Sequence, residues 1–185
     1  MAIRKASAYS KMIARPFTRK SNRKSKAYIK VVPYSKIVKF RVGDQKAYES
    51  GKHKYTVSLI SQEATQVRDT ALEAGRMLLH KMIEEKVPGQ YYMEVKVYPH
   101  HMLRENKISS GAAGADRTST GMTQSFGVVI GRAALVKSGQ EIFFVSCVDD
   151  RAARIARDSM NSIRSKLPCK TKIVFEKVEN KNIYL

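Results

Sequence analysis

Glu141-Ile-Phe-Phe-Val-Ser-Cys-Val-Asp-Asp150-Arg-Ala-Ala-Arg-Ile-Ala-Arg-Asp-Ser-Met160-Asn-Ser-Ile-Arg-Ser-Lys-Leu-Pro-Cys-Lys170-Thr-Lys-Ile-Val-Phe-Glu-Lys-Val178 decides the fold class. Glu141–Cys147 is a short apolar run rich in β-branched and aromatic residues, which predicts a strand. Asp149 or Asp150 then offers a helix cap. Ala152, Ala153, Ile155, Ala156, Ile163 and Leu167 recur at helical spacing, with Arg151, Arg154, Arg157 and Arg164 on the remaining positions. Pro168 ends that helix, and Thr171–Val178 returns as a strand. A strand, a helix and a strand within 38 residues require helices laid on a sheet.

The pattern occurs once more upstream. Lys54–Ile60 reads as a strand, and Ser61 is placed as the N-cap of a long helix with Glu63 in its first turn. Ala64, Val67, Ala71, Leu72, Leu78, Leu79, Met82 and Ile83 carry that helix to about Glu85, where Pro88-Gly89 stops it. Tyr91–Tyr98 follows as a strand with Met93, Val95 and Val97 on a core face. Ile37–Val42 alternates as a half-buried strand, and Gln45–His53 reads as a loop. Phe126–Val136 and Glu141–Cys147 form a hairpin across Lys137-Ser-Gly-Gln140. The fold class is α+β: two long helices on a mainly antiparallel or mixed sheet, with no internal repeat. Residues 99–125, rich in Gly, Ala, Ser and Thr, read as one long loop. A loop of that length in a small domain tends to be functional.

Charge is the compositional outlier. The 185 residues hold 35 Lys+Arg against 16 Asp+Glu, a net +19 with a pI near 10.1. Thirteen of the cations precede Asp44, the first acidic residue, so about two thirds of the excess sits in the first quarter of the chain. Such an excess implies a polyanionic partner. A run of charge is commonly a solvated tail. Here Tyr9, Met12, Phe17, Tyr28, Ile29, Val31, Val32 and Tyr34 are interleaved with it, which suits stacking on bases while cations meet phosphates. The expected organisation is a basic RNA-binding arm, residues 1–35, on a single α+β domain, residues 36–185. The arm's RNA-binding candidates are Arg4, Lys5, Lys11, Arg15, Arg19, Lys20, Arg23, Lys24, Lys26 and Lys30.

Enzymatic sites find little support. Gly111-Ala-Ala-Gly114 lacks the Gly-Lys-Ser/Thr of a phosphate loop, and Asp116-Arg117 follows instead. Glycine there suits close approach of backbone to RNA. His100-His101 has no third ligand nearby in sequence, and neighbours on an extended segment face opposite sides, so RNA hydrogen bonding or surface placement is expected. Asp149-Asp150 reads as a cap and not as a catalytic carboxylate pair. Arg151, Arg154 and Arg157 suit either a solvated face paired with Asp149, Asp150 and Asp158, or RNA contact. Cys147 and Cys169 read as reduced, buried thiols. No apolar run reaches spanning length and no signal peptide is visible, so a soluble intracellular protein is expected, with no cofactor, metal or small-molecule substrate.

Within the long loop the residues become familiar. Val97-Tyr-Pro-His-His-Met-Leu-Arg-Glu-Asn-Lys107, Gly114-Ala-Asp-Arg117 and Thr120-Gly-Met122 resemble the universal large-subunit ribosomal protein family called L sixteen in bacteria and L ten e in archaea and eukaryotes. The archaeal form is the nearest. Arg15-Pro-Phe-Thr-Arg-Lys20, Ala71-Leu-Glu-Ala74 and Lys137-Ser-Gly-Gln140 extend the likeness over nearly the whole chain. The resemblance implies a two-layer α/β-hammerhead fold and a cytoplasmic, ribosomal structural role. It implies large-subunit rRNA, tRNA and other large-subunit proteins as partners, near the peptidyl-transferase region. Carried onto this chain, the tRNA-proximal loop is Met102–Met122, with Arg104, Asn106, Lys107, Gly111, Gly114, Asp116 and Arg117. One departure stands out: the family's Arg-x-Ala-Phe-Gly-Lys-Pro-x-Gly reads here Thr123-Gln-Ser-Phe-Gly-Val-Val-Ile-Gly131, without two cations and a proline. The rival readings are a free basic RNA chaperone or chromatin protein, and an RNA-modifying enzyme.

Overall fold

The computed structural model describes residues 5–18, 29, 31–105 and 127–178. Along these residues the strands are β1 (Arg41–Gly43), β2 (Tyr55–Ser61), β3 (Thr65–Arg68), β4 (Tyr91–Val95), β5 (His101–Glu105), β6 (Val128–Val136), β7 (Glu141–Cys147) and β8 (Thr171–Lys177). The helices are α1 (Gln45–Glu49), α2 (Asp69–Glu84) and α3 (Asp150–Ile163), the last followed by a 3-10 turn at Arg164–Lys166. A five-stranded sheet runs β1-β4-β7-β2-β8, and a three-stranded sheet runs β3-β6-β5. Every described pairing is antiparallel.

β7 lies at the centre of the larger sheet, and Ile142, Phe143, Val145, Ser146 and Cys147 are all buried. A strand covered on both faces must be nearly all apolar, which is why this stretch does not alternate. α2 and α3 pack on each other, and both touch this sheet. From α2, Ala71, Leu72, Leu79 and Ile83 are buried, each Leu or Ile contributing about 1.5–3 kcal/mol. Gly75 faces the Phe143 ring, which sits 3.0 Å from where a Cβ would be. From α3, Ala152, Ala153, Ala156, Ser159, Met160 and Ile163 are buried, and its small residues let it settle against its neighbours. The Cys147 thiol is pushed up to about 12 by burial, so both buried cysteines are free thiols and Cys147 is held protonated.

Five expectations change. The early strand is short: β1 covers Arg41–Gly43, and Val38 is exposed. Gly43 adopts a left-handed φ of 96° as the chain turns against Tyr91. The loop at 45–53 contains α1, capped by Asp44, whose Oδ1 accepts the Ala47 N–H at 2.9 Å. Ser61 caps no helix. Thr65–Arg68 pairs with β6 instead, because a free ladder partner and β-branched Thr65 and Val67 favour extension over a helical turn. The 137–140 turn forms, with the Gln140 N–H donating to the Lys137 carbonyl at 3.2 Å, yet the strands it joins do not pair. β6 enters the small sheet and β7 the large one. Finally, residues 99–125 are not one loop, since His101–Glu105 forms β5.

Candidate nucleic-acid interface

The small sheet has two edges, β3 and β5, and the described part of the arm meets both. The Gln66 N–H donates to the Ser10 carbonyl at 2.9 Å, and the Gln66 side-chain amide donates to the Tyr9 carbonyl at 2.6 Å. An Arg68 guanidinium N–H reaches the Lys5 carbonyl at 2.6 Å. On the other edge, the Met102 N–H donates to the Phe17 carbonyl at 3.0 Å, and the Tyr9 hydroxyl donates to Glu105 at 2.9 Å. Open strand edges invite uncontrolled pairing, and the arm occupies groups on both of these. Tyr9 sits at φ 62°, a conformation costing a non-glycine residue about 1–2 kcal/mol, which the bonds of its carbonyl to Gln66 and its hydroxyl to Glu105 offset.

All of these arm contacts use backbone carbonyls or apolar and phenolic groups. The charged ends are left outward: Lys5, Lys11 and Arg15 are exposed. A later stretch docks in the same way. The Lys36 N–H donates to Asp69 at 3.0 Å, and Arg132 donates to the Pro33 carbonyl at 2.6 Å. Asp69 is buried, and desolvation raises its carboxyl above the usual range despite two backbone donors.

His101 departs from its expected surface placement. It is 4% exposed, and its Nδ1 accepts the Phe17 N–H at 2.7 Å. The accepting nitrogen carries no proton, so the imidazole is the neutral Nε2–H form. Burial, and then nearby Arg104, hold its pKa below the usual 6.5. The Arg104 guanidinium lies 3.5 Å from the Phe17 ring centroid, a cation–π contact. Because the folded pKa is depressed, this tie contributes fully above pH 6.5 and is lost as pH falls through the folded value. Amide exchange at Phe17 and Met102, corrected for intrinsic rates, is therefore faster at about pH 5 than at about pH 7.5. In His101→Gln that pH dependence disappears; its persistence there would assign it to another group.

The loop springs from this sheet. Arg104 pairs with Val129 and Glu105 with Val128, so β5 and β6 form a closed stem. The register skips Ile130, a bulge next to Gly131. At 128–129, where the family pattern has Lys-Pro, two β-branched valines take ladder positions that proline would interrupt. Of the loop candidates, Arg104 is on the stem; Asn106, Lys107, Gly111, Gly114, Asp116 and Arg117 lie outside the described residues. So do the arm candidates Arg4, Arg19, Lys20, Arg23, Lys24, Lys26 and Lys30.

Other candidates resolve locally. The His100 ring meets Tyr98 in a tilted contact with centroids 4.5 Å apart, and Tyr98 stacks on Phe40 at 5.3 Å. Asp149 holds the N-cap position of α3 without a side-chain cap bond, and Asp150 pairs with Arg154 at 2.8 Å. Among the described residues no three His, Cys, Asp or Glu converge as metal ligands. Nor, among them, is any helix long and apolar enough to cross a membrane. Sequence reasoning missed Arg132 and Gln66 as arm-docking residues. Gln66 and Arg68, on a short strand beginning with Thr65, carried a faint signal: polar side chains alternating with Val67.

The fold and this surface define a basic α+β protein in which the described part of the N-terminal segment is tied to both edges of a small sheet. The chain belongs to the ribosomal protein L16p/L10e family, whose sequence model matches residues 16–174. It is 38% identical over 177 residues to the large ribosomal subunit protein uL16 of Staphylothermus marinus, covering 95% of each chain. The uL16 of Picrophilus torridus is 35% identical over 178 residues, 96% of this chain and 94% of that one. That of Methanococcus aeolicus is 36% identical over 178 residues, 96% of each.

Proposed function

We propose that this protein is a structural constituent of the large ribosomal subunit, working in the cytoplasm by binding and not by catalysis. Its partners are rRNA, tRNA and neighbouring large-subunit proteins. The observation that carries the reading is the family match across residues 16–174. The net charge of +19, concentrated before Asp44, supports it, since that excess repels itself unless a polyanion lies beside it.

The proposed organisation is a two-layer, hammerhead-like α+β domain, residues 36–185, with residues 1–35 as its rRNA-binding arm. Arm cations neutralise phosphates and release counterions. The small sheet sets the direction of both arm and loop, because arm carbonyls are bonded to β3 and β5 and the loop leaves β5 for β6. The loop then supports tRNA position near the peptidyl-transferase region through Asn106, Lys107, Asp116 and Arg117. Arg104, engaged with Phe17, positions the stem. The test is sedimentation of native large subunits through high salt. Recovery of the protein at one copy per subunit is expected, whereas recovery only with DNA or as free protein overturns the reading.

A further inference from the structure

Arg157 and Asn161 on α3 and Arg164, which opens the 3-10 turn continuing it, recur at spacings of four and three, so they stand in a stripe along one side of this helical segment. That stripe faces the outer edge of the large sheet, where β8 is the last strand. Between them lies a cleft of about 330 Å³, lined by Arg157, Asn161, Arg164, Gln62, Thr171 and Lys172 along with Ile173. No acidic residue lines it. Of the carboxylates near it, Asp150 pairs with Arg154 and Glu63 with Lys170, and the exposed Asp158 beside Arg157 does not line the cleft. Among the described residues neither Arg157 nor Arg164 has an ion-pair partner. The Thr171 hydroxyl is an independent sign. Thr171 is 3% exposed, and its Oγ1 has no hydrogen-bond partner. Burying a hydroxyl without a partner is unfavourable, and a bound acceptor would relieve it.

A plainer account of Arg164 is that it complements the negative end of the helix dipole. That accounts for one cation in the last turn. It does not account for Arg157 two turns earlier, for the amides of Asn161 and Gln62, or for the unpartnered hydroxyl on β8. Guanidinium groups present fixed forks that match the oxygens of a phosphate, and amide and hydroxyl donors complete such a shell. The volume equals the share of about ten waters, enough for a phosphodiester group with residual hydration.

We propose that this cleft binds a backbone phosphate of RNA. It is then a second attachment point, on the large sheet, apart from the arm and loop on the small one. The proposal rests on the reading that the partner is RNA. The test is NMR on the full chain, titrated in parallel with a single-stranded RNA oligonucleotide and with inorganic phosphate. The signals are the Asn161 side-chain amide, the Arg157 and Arg164 Nε–H groups, and the Lys11 backbone amide as the arm's reporter. RNA is expected to move both sets, with inorganic phosphate moving the cleft set at higher concentration. In Arg157→Gln/Arg164→Gln the Asn161 shift is lost and the Lys11 shift remains, and the salt dependence of RNA binding becomes shallower by about one in log–log slope. A Lys52→Gln/Lys86→Gln variant, with equal charge loss at exposed positions, keeps the Asn161 shift. Movement of Lys11 without Asn161 overturns the cleft and leaves the RNA reading standing. A response of the cleft to inorganic phosphate alone overturns RNA as its ligand. Silence of both sets towards RNA sinks the RNA reading together with the cleft.

Discussion

Replacing Arg4, Lys5, Lys11, Arg15, Arg19, Lys20, Arg23, Lys24, Lys26 and Lys30 with glutamine removes most of the salt dependence of RNA binding while leaving the domain folded. If about ten phosphates are engaged, log affinity falls with log salt at a slope of roughly −7 to −9. The natural chain then loses roughly 10⁴–10⁵ in affinity from about 50 to about 200 mM salt, and the variant about tenfold. Folding survives because the arm is held by groups the substitution spares. The Lys5, Ser10 and Phe17 carbonyls accept from Arg68, Gln66 and Met102, and the Tyr9 hydroxyl reaches Glu105. Of the ten, Lys5, Lys11 and Arg15 lie among the described residues and are exposed, and such substitutions usually change stability by no more than about 0.5 kcal/mol each. A thermal midpoint close to the natural one, with a flattened salt plot, is the expected pair of results. An unchanged slope would place the RNA-binding charge elsewhere on the molecule.

Deletion of Gly111–Thr120 separates the two proposed tasks. The stem pairs Arg104–Val129 and Glu105–Val128 lie outside the deletion, so the small sheet and the arm docked on it persist. Closing a shorter loop costs slightly less entropy. Incorporation into large subunits therefore stays near the natural level. tRNA affinity falls by about tenfold if two polar contacts are lost, since each contributes about 0.5–1.5 kcal/mol and 1.4 kcal/mol is a factor of ten. Sucrose-gradient occupancy together with filter binding of tRNA to the purified subunits separates these effects. Natural translation by the deletion strain would remove the tRNA role from the loop.

Much of the larger sheet, α3 and the body of α2, though not its start, are legible in sequence. Glu141–Cys147 matches β7 to the residue, and the apolar spacing of α3 and its stop near Pro168 are read from short-range chemistry. Of the small sheet only β6 is legible, falling within the expected strand Phe126–Val136. Residues 65–68 fit a helical apolar pattern as well as a strand, and only the presence of β6 as a partner decides between them. His101-Met-Leu-Arg-Glu105 sits among turn-formers and becomes a strand for the same reason. The turn at 137–140 is local and was readable; the divergence of its two strands into different sheets is not local.

The basic arm shows the same division. Its composition alone points to a polyanionic partner, because electrostatic self-repulsion depends on charge count and spacing, which the chain order carries. The loop motif adds the family. The tertiary structure alone decides that the arm is bonded along both edges of the small sheet and that His101 is a buried tie and not a surface group. It also decides that the stripe Arg157–Asn161–Arg164 meets β8 across a cleft. Each of these depends on which strand or helix comes to lie alongside, and a contact such as Phe17 to His101, 84 residues apart, leaves no periodic mark on either segment by itself.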